Sequence, residues 1–260
     1  MEHADLLLAA LRSAVEGQCE GREAGILFSG GLDSAVIAKL ASERVRARLY
    51  TIGMAGSHDL AVGERTAEGM GLEWQGIVLT RERVLRSLTR LADIIRTESP
   101  LVLSFEMPLL IVAEEAEEDL LLSGQGADEL FGGYARYASM GQDELSASLA
   151  SDLDALLTVG ARRERDLAAH FGKTIRHPFL HEGVVRAAES IPLPERVGGS
   201  ERKRVLRDAA RLLGLDKAAS RPKKAAQYGS GVMKAMRAEA QRRGVPLSEL
   251  VQELRDCETL

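Results

Sequence analysis

Ser29-Gly30-Gly31-Leu32-Asp33-Ser34 follows the short apolar run Gly25-Ile26-Leu27-Phe28 and precedes a stretch in which Ala35, Val36, Ala38, Leu40 and Ala41 recur at helical spacing. Two glycines let the backbone turn tightly, and serine hydroxyls beside the free amides of a helix start make a pocket for a phosphate. A plain strand-to-helix turn capped by Asp33 or Ser34 would use one hydroxyl, not two glycines flanked by Ser, Asp and Ser. A second cluster, Ser123-Gly124-Gln125-Gly126-Ala127-Asp128-Glu129-Leu130-Phe131-Gly132-Gly133-Tyr134, follows the apolar run Asp119-Leu120-Leu121-Leu122. Asp128 and Glu129 suit the positive end of a helix, but that does not account for the glycines on both sides. The commoner phosphate loops are absent. Gly172-Lys173-Thr174 has Leu167 where a Walker loop needs its first glycine, and Gly69 and Gly71 are followed by Trp74, so no GxGxxG occurs.

The elements that must carry these clusters are legible as apolar periodicities. Leu6, Leu7, Leu8, Leu11 and Val15 mark an amphipathic helix over 4–18. Apolar runs at 25–28, 48–52, 74–79 and 119–122 read as four strands, the second ending at Gly53. Helical patterns lie between them, at 59–71, 81–97 and 104–117, the last after Pro100. Strands alternating with helices predict an α/β fold with a doubly wound parallel sheet, and ligands of such sheets bind beyond the carboxyl ends of the strands. Both glycine clusters fall at that edge. Beyond residue 128 the strand signals stop, and helical patterns at 143–169, 182–190, 201–213 and 231–243, with an amphipathic piece from Pro246, predict a mainly helical second half. The expected organisation is one domain over 1–260, with 1–127 as the nucleotide-binding half and 128–260 completing the site.

The composition fits a globular chain and excludes several classes. Of 260 residues, 45% are hydrophobic and 28% charged, and the net charge is −5. No apolar run is long enough to span a membrane, and the start, with Glu2, His3 and Asp5, has no basic stretch before an apolar core. Cys19 and Cys257 form no CxxC and no zinc spacing with histidine, so a reducing cytoplasm is expected. The acidic balance gives no electrostatic footprint for a phosphate backbone and argues against nucleic acid as a partner.

The loop at 29–34 resembles the pyrophosphate-binding loop of the N-type ATP pyrophosphatases, and the cluster at 123–134 resembles the signature of the asparagine synthetase synthase domain. Ser57-His58-Asp59, Arg176-His177-Pro178-Phe179-Leu180, Lys203-Arg204-Val205-Leu206-Arg207 and Arg221-Pro222-Lys223 are similar to further segments of that family, in the same order along the chain. The resemblance implies an adenine nucleotide alpha hydrolase-like sheet and an ATP-dependent ligase. A carboxylate, aspartate by default, would be adenylated with release of pyrophosphate, and ammonia would then displace AMP. Ser29, Gly30, Gly31, Asp33 and Ser34 would hold the β and γ phosphates. Leu27, Ile52 and the backbone of Gly53 would flank the adenosine, and Ser123 and Gly124 would contact the nucleotide. Asp33 and Asp128 would hold Mg²⁺, Lys203 would assist the pyrophosphate, and Lys223 would sit by the α-phosphate. Asp128 and Glu129 would serve the amino-acid side, where the residue at 125 is a further catalytic candidate.

Departures from the family pattern fall on the acceptor side. The residue before Gly126 is glutamate in asparagine synthetases and tyrosine in the β-lactam-forming branch, whereas here it is Gln125. After Pro178-Phe179-Leu180 the family usually has aspartate, whereas here it is His181. The family's glutaminase domain begins, after Met removal, with a cysteine nucleophile. This chain begins Met1-Glu2, which implies free ammonia, ammonia from a separate glutaminase subunit, or another nucleophile. Two other readings remain open: an enzyme that adenylates another acceptor, and a catalytically weak nucleotide-binding subunit of a split amidotransferase.

Overall fold

The computed structural model describes residues 2–198, 201–221 and 229–258. The four apolar runs form β1 (Ala24–Leu27), β2 (Ala47–Met54), β3 (Glu73–Leu79) and β4 (Leu120–Leu122). They lie parallel in a sheet of order β3-β2-β1-β4-β5, whose last member, Thr174–Arg176, was not expected beyond residue 128. Three residues with one apolar side chain, Ile175, carry no period. What makes them a strand is the open edge of β4, where Leu120, Leu121 and Leu122 pair with Thr174, Ile175 and Arg176.

The helices are α1 (Glu2–Cys19), α2 (Leu32–Ser42), α3 (His58–Met70), α4 (Arg81–Ile95), α5 (Pro100–Glu115), α6 (Ala127–Phe131), α7 (Gln142–Ala155), α8 (Ala161–His170), α9 (Glu182–Ser190), α10 (Leu193–Val197), α11 (Arg204–Leu212), α12 (Asp216–Ala219), α13 (Val232–Arg243) and α14 (Leu250–Glu258). Two expected boundaries change. The helix placed at 104–117 starts at Pro100, because a proline in the first turn forfeits only an amide that has no helical partner. The pattern at 143–169 is divided by a π turn, Leu156–Gly160, which leaves Leu157 and Val159 exposed.

Alternate strand residues serve two cores, as the pleat requires. Ala24, Ile26, Leu49, Leu120 and Leu122 face one layer with Leu7 and Leu11 of α1, Val36 of α2 and Leu206 of α11. Tyr50, Ile52, Leu121 and Ile175 face the other with Leu88 of α4, Leu110 of α5, Leu167 of α8 and Met236 of α13. The chain moves outward from β1 through β2 to β3, then returns to the opposite side of β1 as β4. Strand order therefore reverses between β1 and β4, and a crevice opens past their carboxyl ends. The loops that leave those two strands are 29–31 and 123–126.

Candidate active site

The two glycine clusters meet in that crevice. A Cβ built on Gly124 would lie 3.0 Å from Asp33 Cβ and 3.1 Å from the Ser34 amide nitrogen, so only glycine permits this approach. The first loop is closed by its own serines: Ser29 N donates to Ser34 Oγ at 3.3 Å, Gly31 N donates to Ser29 Oγ at 3.3 Å, and Ser34 Oγ donates to Gly31 O at 3.3 Å. The N-cap of α2 is Gly31, without a side-chain cap, so neither Asp33 nor Ser34 is used to start the helix. Arg221, which lines the cavity, braces the loop, donating to Gly30 O at 2.5 Å and to Thr66 Oγ1 at 3.2 Å.

A cavity of about 370 Å³ opens over these loops. Leu27 and Ile52, with Tyr50, supply its apolar wall, while Ser29, Gly31, Asp33 and Ser34 supply the anion-binding rim. Ser123, Gly124, Gln125, Asp128 and Lys203 close the opposite side. Three of the expected site residues are not part of the wall: Gly30, Gly53 and Glu129. Glu129 is buried beside the cavity, where Tyr134 Oη donates to it at 2.5 Å, and burial pushes its carboxyl above the usual range. Lys223 lies outside the described residues.

Lys203 is the cation at the centre. Its Nζ is 2.6 Å from both carboxylate oxygens of Asp33 and 2.5 Å from Asp128 Oδ1, so it bridges the two clusters. The ammonium is buried; burial pushes its pKa down while Asp33 pulls it back up. A Cβ at position 133 would fall 1.7 Å from Asp128 Oδ1 and 2.4 Å from Lys203 Cε, which is why the cluster needs Gly133. Two carboxylates that converge on one positive point fit Mg²⁺, an ion commonly held by one or two carboxylates together with substrate phosphates. Among the described residues no group of three His, Cys, Asp or Glu side chains is arranged to hold a metal by itself.

The far end of the cavity is built from residues that the sequence did not mark. Glu106 on α5 and Glu164 on α8 line the wall together with Gln125. Glu106 accepts from Arg163 Nε at 2.8 Å, and Gln125 N donates to Ser123 Oγ at 3.3 Å. His177, at the end of β5, places Nδ1 2.8 Å from Ser123 Oγ and Nε2 3.4 Å from Glu164 Oε2. Burial holds this imidazole neutral, with its pKa lowered to about 4. Glu106 and Glu164 sit inside ordinary helical patterns, and His177 sits on a strand without periodicity. The one sequence signal was the segment Arg176-His177-Pro178. The other departure, His181, is not on the wall. It is the N-cap of α9, where Nδ1 accepts from Gly183 N at 3.2 Å.

The asparagine synthase family model matches residues 6–143 and 138–254. A Methanocaldococcus jannaschii protein named as a candidate glutamine-hydrolyzing asparagine synthetase is 35% identical over 270 residues, covering 88% of this chain and 50% of that protein. The asparagine synthetase domain-containing protein 1 of Mus musculus is 37% identical over 124 residues, covering 44% of this chain and 20% of that one. A solved NMN synthetase from Francisella tularensis aligns with a TM-score of 0.45 at 14% identity, over 98% of this chain and 85% of that one. The chain spans half the length of its archaeal relative or less of the mouse one. With the family's match running along nearly all of the sequence, and with its two signature clusters sharing one cation at the sheet's switch point, the chain belongs to the asparagine synthase family.

Proposed function

We propose that the chain forms amides at the expense of ATP. A substrate carboxylate, aspartate by default, attacks the α-phosphorus to give an acyl-adenylate and pyrophosphate, and ammonia then displaces AMP. The observation that carries this reading is the convergence of Asp33 and Asp128 on one cation position at the rim of the 29–34 loop. Ser29, Ser34 and the loop amides hold the β and γ phosphates, with Leu27, Ile52 and the Gly53 backbone beside the adenosine. Ser123 and Gly124 contact the nucleotide from the second loop. Asp33 and Asp128 would hold Mg²⁺, which would supply charge neutralisation for the departing pyrophosphate. Lys203 assists there, and Lys223 offsets charge at the α-phosphorus. Glu129 and Gln125 belong to the amino-acid side, with Glu129 acting through Tyr134. Catalysis is mostly alignment and electrostatics, so no covalent nucleophile is required. The nitrogen source is free ammonia or a partner glutaminase, and the working compartment is the cytoplasm.

The test is product analysis during a screen of amino acids with ammonium and Mg²⁺, with and without glutamine. AMP and pyrophosphate are expected, in proportion to an amide. ADP and phosphate as the main products would overturn the mechanism, and nucleotide binding without turnover on any carboxylate would favour a regulatory subunit.

A further inference from the structure

Charge is unevenly distributed around the cavity. Its basic lining residues, Arg202, Lys203, Arg207 and Arg221, come from one stretch of chain, where Lys203 holds Asp33 and Arg221 holds the Gly30 carbonyl. The end beside Gln125 is acidic, with Glu106 and Glu164 on the wall. Of these two, Glu106 accepts from Arg163, whereas Glu164 accepts no hydrogen bond among the described residues, although its side chain is only 7% exposed. His177 Nε2 lies 3.4 Å from its Oε2, and that ring nitrogen is itself without a hydrogen bond among the described residues. A buried carboxyl without a donor is costly, and the cavity is the side from which a donor would come.

The reaction proposed above needs such a group. A nitrogen nucleophile arrives largely protonated at neutral pH and must lose a proton to attack. Gln125, an amide, cannot take it. A carboxyl can, and burial together with the Glu106 charge pushes that of Glu164 well above the usual carboxylate range, so it holds a proton more readily than a surface carboxylate does.

Resting on the amide-forming reading, we infer that the Glu164–Glu106 end of the cavity receives the nitrogen nucleophile as a cation, an ammonium or primary alkylammonium, and that Glu164 takes its proton. One proton of the ammonium passes to the Glu164 carboxylate and frees the nitrogen lone pair, which forms the bond to the acyl carbon; the carbon–oxygen bond to AMP breaks with its electron pair leaving on the phosphate, and the second N–H proton, lost as the amide forms, leaves on that phosphate. His177 is a positioning residue, fixed between Ser123 and Glu164.

Two measurements test this. In the first, thermal unfolding of the full chain is followed in methylammonium chloride and in sodium chloride at equal ionic strength. Methylammonium should raise the midpoint of the wild type above the sodium value and leave that of Glu164→Gln at it; no difference in the wild type, or the same difference in the variant, overturns the cation site. In the second, ATP–pyrophosphate exchange with aspartate reports adenylation alone, and amide formation is compared with ammonium and with hydroxylamine, which is largely uncharged at neutral pH. Glu164→Gln should keep exchange within a few-fold, lose on the order of 10²-fold in kcat/KM with ammonium, and lose far less with hydroxylamine. Glu164→Asp, which keeps a carboxyl, should recover part of the ammonium rate. Equal losses with both nucleophiles, or none, would overturn the proton-acceptor role. A wild type without exchange on aspartate or any other carboxylic acid would refute the amide-forming reading instead, and the methylammonium comparison would still decide the cation site.

Discussion

Removing the Lys203 ammonium would leave Asp33 and Asp128 without the cation that they share. Lys203 also holds φ 61°, ψ 39°, a left-handed conformation that a side chain other than glycine rarely adopts, so its surroundings impose its place. Lys203→Met should therefore destabilise the fold on the order of 3 kcal/mol, as expected when one partner of a buried pair is lost. Millimolar Mg²⁺ should recover more of this loss in the variant than it adds to the wild type, as read from urea midpoints. An equal Mg²⁺ response in both proteins would show that the two carboxylates do not share a metal position. Lys223, outside the described residues, is assigned to charge that develops only during adenylation. Lys223→Ala should lower turnover on the order of 10²–10³-fold while ATP binding changes little, by analogy with the loss of one preorganised donor. Wild-type turnover in a folded Lys223→Ala variant would remove it from the mechanism.

His181 shows how an element can absorb a departure from a family pattern. It stands where the resemblance expects aspartate, and it does what an aspartate would do there: its ring nitrogen caps α9 by accepting from Gly183 N at 3.2 Å. Chemical denaturation should find His181→Asp within about 0.5 kcal/mol of the wild type and His181→Ala about 1 kcal/mol less stable. A tenfold loss of turnover in His181→Asp, without a stability change, would return the residue to the acceptor site. β5 makes the complementary point. It exists only because β4 offers an edge, yet it delivers His177 to Ser123 and thereby links the second loop to α8.

Across the fold, the last helices are tied back to the sheet's second layer through Glu239 of α13. This buried carboxylate accepts from Arg242 at 2.8 and 3.0 Å, from Arg243 at 2.6 Å and from Arg81 Nε at 2.9 Å. Arg242 first, then Arg81 and Arg243, hold its carboxyl well below the usual carboxylate range. A depressed folded-state pKa contributes stability that is present above the unfolded value, about 4.3, and is lost as pH falls toward the folded one. Glu239→Gln should thus lower stability by roughly 2 kcal/mol near pH 7, through its lost charged hydrogen bonds, and the gap to wild type should narrow steadily below about pH 4. A gap that stays constant through acid would assign the effect to packing. No helix among the described residues is long and apolar enough to cross a membrane.

Local sequence carried the parts of this protein that are locally determined. β1 and β4 were legible because each buries a short apolar run, β2 and β3 because apolar residues dominate each of them, and the two glycine clusters because their residue types are unusual wherever they occur. Their convergence followed from the parallel alternation, since the loops after β1 and β4 share one edge of such a sheet. Tertiary structure decided the rest. β5 depends on a neighbouring strand's free amides, which no period encodes. Glu106 interrupts an apolar helical stretch and Glu164 lies in a charged one, neither of which marks a site, and only the packing of α5 and α8 against the sheet's second face places them on the cavity wall. Lys203 lies in a recognisable segment, but its clasp of Asp33 and Asp128 brings together three points spread over 170 residues of chain. Charge pairing at that separation has no sequence signature, because it is set by where the backbone returns rather than by what lies beside it.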